Sequence, residues 1–320
     1  MEILTVTLNP ALDREVIIPN FQLNQLHRIF NRENMIMDPG GKGINVSMML
    51  SSLGIPSLAM GFLGGYTGRV ILEELRRRFK DVTTNFVRME EESRENLAIV
   101  DEMNHSITEI NAMGPTIMEE DLLHFLRLYQ TAVSHTKISL ISGSAPFGIP
   151  LDVYASLSKM AKEQGNWVLM EARGRLLTNA VNQACPHVVR PDLRSDNKIL
   201  GQEVESFSDY LDAGREIIHK GAELVVISYQ MKHDLIFTRD ASWFLTIIQE
   251  SVDPSHLLGT GDVYMTAMIY NALKNGKDLL ATAKFGMAAA LAKTHYVKKE
   301  MPKLEDIQTC MEHIKVERLD

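Results

Sequence analysis

Apolar and polar positions along the chain predict helices that alternate with buried strands. Residues 3–8 form a run of apolar and β-branched side chains that Asn9 and Pro10 end, which is typical of a buried strand. Residues 43–53 have apolar positions at helical spacing, and residues 57–62 again resemble a strand. The order of helix then strand recurs, with helices predicted at 70–79, 122–133, 154–164 and 210–220 and strands at 138–141, 167–170 and 224–227. Such alternation predicts a three-layer α/β/α sandwich with a mainly parallel sheet.

Two stretches interrupt this rhythm. Residues 13–37 and 86–111 contain short strand-like runs, and residues 96–110 resemble a hairpin that turns at 103–105. We interpret them as one small β lid. No long linker, low-complexity segment or internal repeat divides the chain, so we expect residues 1–320 to form a single domain that carries this lid.

Composition and charge exclude several classes of function. The 320 residues are 45% hydrophobic and 23% charged, which is typical of a globular protein. A formal net charge of −8 without a block of basic residues makes a nucleic-acid partner unexpected. Cys185 and Cys310 are far apart, so neither a disulfide framework nor a zinc site is indicated. No signal-like start or long apolar stretch occurs, so we expect a cytoplasmic protein without a membrane partner.

A first candidate site lies at residues 38–46, with the sequence DPGGKGINV. Its three glycines stand where a loop enters a helix, so bare backbone can approach a ligand and the helix N-terminus favours an anion. The segment is not a Walker A loop, because Ile36 occupies the first glycine position and Gly43 replaces the Ser or Thr that would hold Mg²⁺. A glycine-rich helix entry without function is the alternative interpretation.

A second candidate site lies at residues 257–265, with the sequence LLGTGDVYM, which enters an amphipathic helix ending at Gly276. The first turn of that helix has free N–H groups near Gly259 and Gly261. Asp262 could take a proton from a hydroxyl while these N–H groups stabilise a phosphoryl group in transit. A carboxylate that only caps the helix dipole is the alternative.

These two segments, in this order, resemble the ribokinase superfamily and within it the phosphofructokinase B branch of sugar kinases. The segment GGKGINVS at residues 40–47, with Gly54 and Gly64, reproduces the N-terminal signature of that family. Further similarity, at residues 5–13, 61–68, 93–96 and 142–144, is to the subgroup of 1-phosphofructokinases and tagatose-6-phosphate kinases.

The resemblance implies a role for each matching residue. Asp262 would be the catalytic base, and Gly259, Thr260 and Gly261 would form the anion hole. Arg94 would pair with the phosphate that the substrate already carries, with Lys42 nearby, because a guanidinium holds phosphate through a fork of donors. A solvated charge is the alternative for Arg94. The remaining substrate contacts implied are Asp13, Gly40, Gly41, Lys42, Asn45 and Ser142.

On the nucleotide side the resemblance implies ATP and Mg²⁺ as cofactors. Arg190, Asp192 and Ser228 would contact the nucleotide, and Asp192 with Asp196 would organise Mg²⁺ through water. The chain departs from the family here, because Arg190 and Asp192 replace a Lys and an Asn. Gln230 and His233 also stand where the family has glycines, and Thr260 replaces an Ala.

The activity implied is ATP-dependent phosphorylation of a small-molecule sugar phosphate, fructose 1-phosphate giving fructose 1,6-bisphosphate, by a homodimer joined through its lids. Tagatose 6-phosphate is the next substrate. A sugar-phosphate sensor with weakened catalysis is an alternative that the lost glycines favour and the retained Asp262 opposes. A nucleoside kinase is disfavoured because it would leave Arg94 and Lys42 unpaired.

Overall fold

The computed structural model describes residues 2–194 and 197–320, which form sixteen strands and nine α-helices. The strands are β1 (Ile3–Thr7), β2 (Ala11–Ile17), β3 (Met35–Gly40), β4 (Ser57–Gly64), β5 (Val82–Met89), β6 (Arg94–Asp101), β7 (Ser106–Asn111), β8 (Ile138–Ser142), β9 (Trp167–Ala172), β10 (Val188–Pro191), β11 (Lys198–Ile199), β12 (Gln202–Glu203), β13 (Leu224–Tyr229), β14 (His233–Phe237), β15 (Ser242–Ile247) and β16 (Ile314–Arg318). The helices are α1 (Lys42–Ser52), α2 (Gly65–Arg78), α3 (Glu119–Val133), α4 (Val153–Glu163), α5 (Gly174–Ala184), α6 (Phe207–His219), α7 (Thr260–Asn275), α8 (Leu279–Lys293) and α9 (Leu304–Glu312).

The predicted α/β/α sandwich is confirmed. Ten strands form one sheet in the order β16-β15-β14-β13-β10-β9-β8-β1-β4-β5, and the seven from β13 to β5 are parallel. The remaining three continue the sheet antiparallel. Helices α3 to α6 pack on one face of this sheet, and α1, α7, α8 and α9 pack on the other. No helix among the described residues is long and apolar enough to cross a membrane.

A second sheet forms the lid, with the order β3-β2-β6-β7. The predicted hairpin is confirmed, since β6 and β7 pair antiparallel from Asn96 with Asn111 to Asp101 with Ser106. The second lid segment starts later than predicted. Val82–Met89 pairs along its whole length with β4 as the edge strand of the main sheet, so the lid strands begin at Arg94.

The carboxyl ends of the parallel strands all meet at one edge of the main sheet, and the lid lies beside it. At this edge the chain leaves β1 at Thr7, β9 at Ala172, β10 at Pro191 and β13 at Tyr229. Ligands of open α/β sheets bind at this edge. The candidate functional residues gather here.

Candidate active site

Asp262, the third residue of α7, lies where two cavities meet. The lid cavity, about 370 Å³, is bounded by the lid and the N-terminus of α1. The helix cavity, about 290 Å³, lies between the N-terminus of α7 and strand β10. The walls shared by both cavities are formed by Lys42, Asp192, Arg194, Gly259 and Asp262. A group on Asp262 can therefore face ligands from both sides.

The Asp262 carboxylate is buried, and only one of its two oxygens accepts a hydrogen bond. Its Oδ2 accepts a hydrogen bond of 2.7 Å from the side-chain amide of Asn45 on α1. Its Oδ1 has no hydrogen-bond partner among the described residues. Burial raises the pKa of Asp262, whereas Lys42 and the Asn45 hydrogen bond act in the opposite direction. The free oxygen is suited to accept a proton from a bound hydroxyl.

The turn before Asp262 presents backbone amides. Gly259 has φ +79, a left-handed conformation that favours glycine, and a Cβ there would lie 2.3 Å from Cγ of Lys299. The amide of Thr260 donates to the carbonyl of Leu257 at 3.2 Å. The amides of Gly259 and Gly261 have no backbone acceptor among the described residues, so they are the members of the predicted anion hole that remain free.

The glycine-rich turn at the start of α1 is packed against the end of β1. Gly41 has φ +107, and a Cβ on it would lie 2.6 Å from Cγ2 of Thr7. The Thr7 hydroxyl accepts a hydrogen bond of 2.9 Å from the amide of Ile44. Only a glycine allows this approach, which directs Lys42 and Asn45 toward the cavity walls.

Lys42 lies between carboxylates rather than facing the lid cavity alone. Its ammonium is 3.0 Å from Oε1 of Glu171 and 3.4 Å from Oδ2 of Asp192. The guanidinium of Arg190 contacts the same oxygen of Glu171 and donates to the Ser228 hydroxyl at 3.2 Å. Although burial opposes the change, Lys42 lowers the pKa of both Glu171 and Asp192, so both stay ionised. The network brings the predicted nucleotide contacts Arg190, Asp192 and Ser228 together.

The lid supplies Asp13 to the lid cavity in a fixed position. Its Oδ1 accepts a hydrogen bond of 2.9 Å from Asn96 on the neighbouring strand, and its Oδ2 lies 2.6 Å from the ammonium of Lys299. Lys299 also lies 3.3 Å from Oε1 of Glu15. Although burial opposes the change, these two carboxylates raise the pKa of Lys299, so it is a permanent cation.

Arg94 is a half-buried cation on the wall of the lid cavity. Its guanidinium donates to the carbonyls of Asn9 and Ala112, both at 3.2 Å, and it forms no salt bridge with a carboxylate of the described residues. Arg173 lines the same cavity. Burial lowers the pKa of Arg94, Asp13 acts in the opposite direction, and repulsion from Arg173 lowers it further. A bound anion would relieve that repulsion.

A third cavity of about 280 Å³, the apolar cavity, continues from the helix cavity. Its apolar walls come from β15, α7, α8 and the loop before α7, and its lining includes Ile247, Val252, Tyr264, Met287, Ala290 and Leu291. The Arg190 guanidinium lies over the Tyr264 ring, 4.9 Å from its centre, and borders both cavities. A flat aromatic group fits the apolar cavity. Phosphates fit the helix cavity, where Arg190 and the N-terminus of α7 offer donors.

Gln230 and His233, which stand where the family has glycines, lie on the wall of the apolar cavity. Gln230 has φ +57, so the turn keeps the left-handed backbone that a glycine would adopt. His233 begins β14, stacks on Phe244 with ring centres 4.8 Å apart, and contacts the Thr246 hydroxyl at 3.1 Å. The chain has therefore replaced the glycines without losing the turn.

Some predicted site residues lie apart from the cavity walls. Gly40 supports Asp13, because a Cβ there would lie 2.3 Å from its carboxylate. Ser142 is buried at the end of β8, and the cavity wall is formed by the next residues, Gly143 and Ser144. Asp196 lies outside the described residues.

Sequence reasoning missed Glu171, Arg173 and Lys299. Glu171 was detectable as an acidic residue in the apolar strand β9, whose burial requires a charged partner. No local motif marks Lys299, which is 286 residues from Asp13 in the chain.

Comparison with known proteins agrees with this geometry. A family model described as pfkB family carbohydrate kinase matches residues 21–301, which is most of the chain. The chain belongs to the pfkB family. This membership confirms the resemblance of the glycine-rich turn and of the segment around Asp262.

Related proteins match this pfkB protein over nearly its whole length. It is 30% identical over 317 residues to a 1-phosphofructokinase of Bacillus subtilis, covering 99% of this chain and all of the relative. The solved structure of a possible 1-phosphofructokinase from Thermotoga maritima is 45% identical, covers both chains fully and has a TM-score of 0.96. Phosphofructokinase-2 of Escherichia coli, solved in complex with potassium, is 25% identical over 97% of this chain and 98% of the other, with a TM-score of 0.85.

Proposed function

We propose that this pfkB kinase transfers the γ-phosphoryl group of ATP to the 6-hydroxyl of fructose 1-phosphate, giving fructose 1,6-bisphosphate and ADP. The observation that carries the proposal is the unpartnered Oδ1 of Asp262 at the wall between the lid cavity and the helix cavity. The 1-phosphofructokinase relative in Bacillus subtilis supports the choice of acceptor.

The chemistry follows from the two sides of Asp262. The carboxylate accepts the proton of the 6-hydroxyl as the O6–phosphorus bond forms, while the bond from the γ-phosphorus to the bridging oxygen of ADP breaks in line with it. The amides of Gly259 and Gly261 stabilise the charge on the phosphoryl oxygens in transit. Asp262 then releases its proton to solvent.

The lid cavity suits a phosphorylated sugar. Asp13 and Asn45 supply acceptor oxygens for hydroxyls at its walls, and Oδ1 of Asn45 has no partner among the described residues. Arg94 and Arg173 contribute two guanidiniums to the same cavity, and a phosphate dianion would offset their mutual repulsion. An unphosphorylated substrate would leave the half-buried Arg94 without a counter-charge.

The nucleotide would lie in the other two cavities. Adenine fits the apolar cavity, and the phosphates fit the helix cavity beside Arg190. Mg²⁺ bound here would offset negative charge on the phosphates. Glu171 and Asp192 would hold it, because Oε2 of Glu171 is a buried carboxylate oxygen without a partner among the described residues and Mg²⁺ needs few protein carboxylates. Since ATP and sugar phosphates are cytoplasmic metabolites, we expect the reaction in the cytoplasm.

We also propose a homodimer joined through the outer face of the lid. Strand alternation places Asp13 and Glu15 on the side of the cavity and puts residues such as Met37 and Ile110 on the opposite side. Met37 is 42% exposed and Ile110 is 56% exposed. An exposed sheet face with apolar side chains around the Arg14–Glu95 ion pair is suited to an interface with a second copy.

One experiment tests the activity. ADP release is measured with fructose 1-phosphate, fructose 6-phosphate, tagatose 6-phosphate and ribose at equal concentrations, with Mg·ATP as donor. We expect the highest kcat/KM for fructose 1-phosphate. A higher kcat/KM for tagatose 6-phosphate would identify that sugar phosphate as the substrate instead. Tight sugar-phosphate binding without turnover on any acceptor would indicate a sensor.

A further inference from the structure

Lys293, the last residue of α8, is a charged side chain with no exposure to solvent. Its ammonium donates hydrogen bonds to the backbone carbonyls of His256 at 2.8 Å, Tyr296 at 3.1 Å and Val297 at 3.3 Å. Within the described ranges, it forms no salt bridge with a carboxylate. A buried charge is costly unless it is compensated, and here three carbonyl dipoles supply the compensation.

The three carbonyls belong to two segments that border the active site. His256 ends the short turn Pro254–His256, and Gly259 follows three residues later. Tyr296 and Val297 lie between α8 and Lys299, which holds Asp13. The Lys293 ammonium therefore joins the turn that leads into the anion hole to the segment that fixes the lid carboxylate.

The ligand set around this ammonium is that of a dehydrated monovalent cation, because backbone carbonyls replace the hydration shell of such ions. An ammonium is likewise a compact point charge, and it carries three donors for three acceptors. Burial lowers the pKa of Lys293 to about 8, and Glu15 and Glu300 oppose that change while Lys299 adds to it. The side chain is therefore a cation at neutral pH.

We propose that the Lys293 ammonium is a tethered monovalent cation, which holds the turn before Gly259 and frees this kinase from any need for potassium in solution. The inference rests on the proposed function, because the turn serves phosphoryl transfer. Loss of the charge would let the His256 carbonyl relax and would move the Gly259 amide away from the phosphoryl group. Lys293 is thus a positioning residue, and its effect falls on kcat.

The test compares the wild type with Lys293→Ala and Lys293→Met in buffers whose cation is potassium, sodium or tetramethylammonium. Lys284→Ala, on the same helix, is the matched control. We expect the wild type and the control to have the same kcat in all three buffers. Lys293→Ala should lose roughly 10- to 100-fold in kcat without potassium, with a smaller change in the KM for the sugar phosphate. Potassium should restore much of that loss, since its radius is similar to that of an ammonium group and the carbonyls remain.

Lys293→Met fills the same space without charge and should not be rescued. Thermal unfolding gives a second readout that needs no turnover: potassium should raise the Tm of Lys293→Ala and leave the Tm of the wild type and of Lys293→Met unchanged.

Wild-type activity that requires potassium would overturn the inference even if neither variant folds. Folded Lys293→Ala with wild-type kcat in tetramethylammonium, or with a loss that no cation restores, would also overturn it. Absence of turnover on every acceptor, with the Tm effect intact, would refute the proposed function and not the cation site.

Discussion

The side-chain amide of Asn45 donates a hydrogen bond of 2.7 Å to the carboxylate of Asp262 across 217 residues of sequence. The contact joins the first turns of α1 and α7, each of which begins after a glycine with positive φ. It leaves one oxygen of Asp262 accepting and the other without a partner among the described residues. The two glycine-rich motifs are therefore one site.

Asp262→Asn should lower kcat by about 10²–10⁴-fold, because the amide keeps the size of the carboxylate and cannot accept a proton. The KM for the sugar phosphate should change little. Steady-state kinetics with fructose 1-phosphate measure both, and Asp240→Asn, at an exposed position, is the control. A variant that retains more than about a tenth of kcat where chemistry is rate-limiting would exclude the base role.

The acid side of the pH profile should report the raised pKa of Asp262. Burial favours the neutral acid, so the base loses activity as pH falls through a value above the usual Asp pKa of about 3.9. Asn45→Ala removes a hydrogen bond that favours the charged form and should move the midpoint of kcat to higher pH. The measurement is kcat at saturating sugar phosphate across pH, and a midpoint that does not move would contradict the assignment.

Arg94→Ala should raise the KM for fructose 1-phosphate roughly 10- to 100-fold, since hydrogen bonds to charged groups contribute about 1.5–3 kcal/mol. The preference for fructose 1-phosphate over fructose should shrink. The exposed Arg88→Ala is the matched control. An unchanged ratio of the two KM values would return Arg94 to a solvated surface charge.

Glu171→Gln should destabilise the protein by about 3–5 kcal/mol, because it leaves Lys42 and Arg190 buried without their shared carboxylate. Glu203→Gln, which breaks the exposed pair with Lys198, should change stability by less than about 1 kcal/mol. Denaturant unfolding of both variants measures the difference. Equal stabilities would show that Glu171 is not needed to hold the two cations.

The outer face of the lid should be a dimer interface. Ile110→Asp puts a charge on that face and should convert a dimer into a monomer by light scattering at micromolar concentration. Leu123→Asp, on the exposed side of α3 with 48% exposure, should leave the dimer intact. A wild-type monomer at that concentration would refute the interface.

The local pattern of the sequence was sufficient for most of the alternating helices and strands from β1 to β13, the lid hairpin and the two glycine-rich turns. It did not predict α5, β10 or the antiparallel strands β14 to β16. Periodicity decides which face of an element is apolar, and the glycines at 41 and 259 mark backbone that other residues disfavour. The segments around Asp262 and Lys42 could therefore be identified before their positions in space were known. Residues 86–89, the second half of the edge strand Val82–Met89, were assigned to the lid because their pattern does not say which strand they pair with.

Tertiary structure decided which partners compensate each buried charged residue. Glu171, Lys299 and Lys293 carry no motif, and their roles depend on partners between 3 and 286 residues away. A buried charge is stable only where the fold brings an opposite charge or a carbonyl within a few ångströms, and sequence spacing holds no information about that distance. The parallel sheet brings such residues close together, because the carboxyl ends of distant strands meet at one of its edges. The base, the neighbouring cations and the lid therefore lie around common cavities.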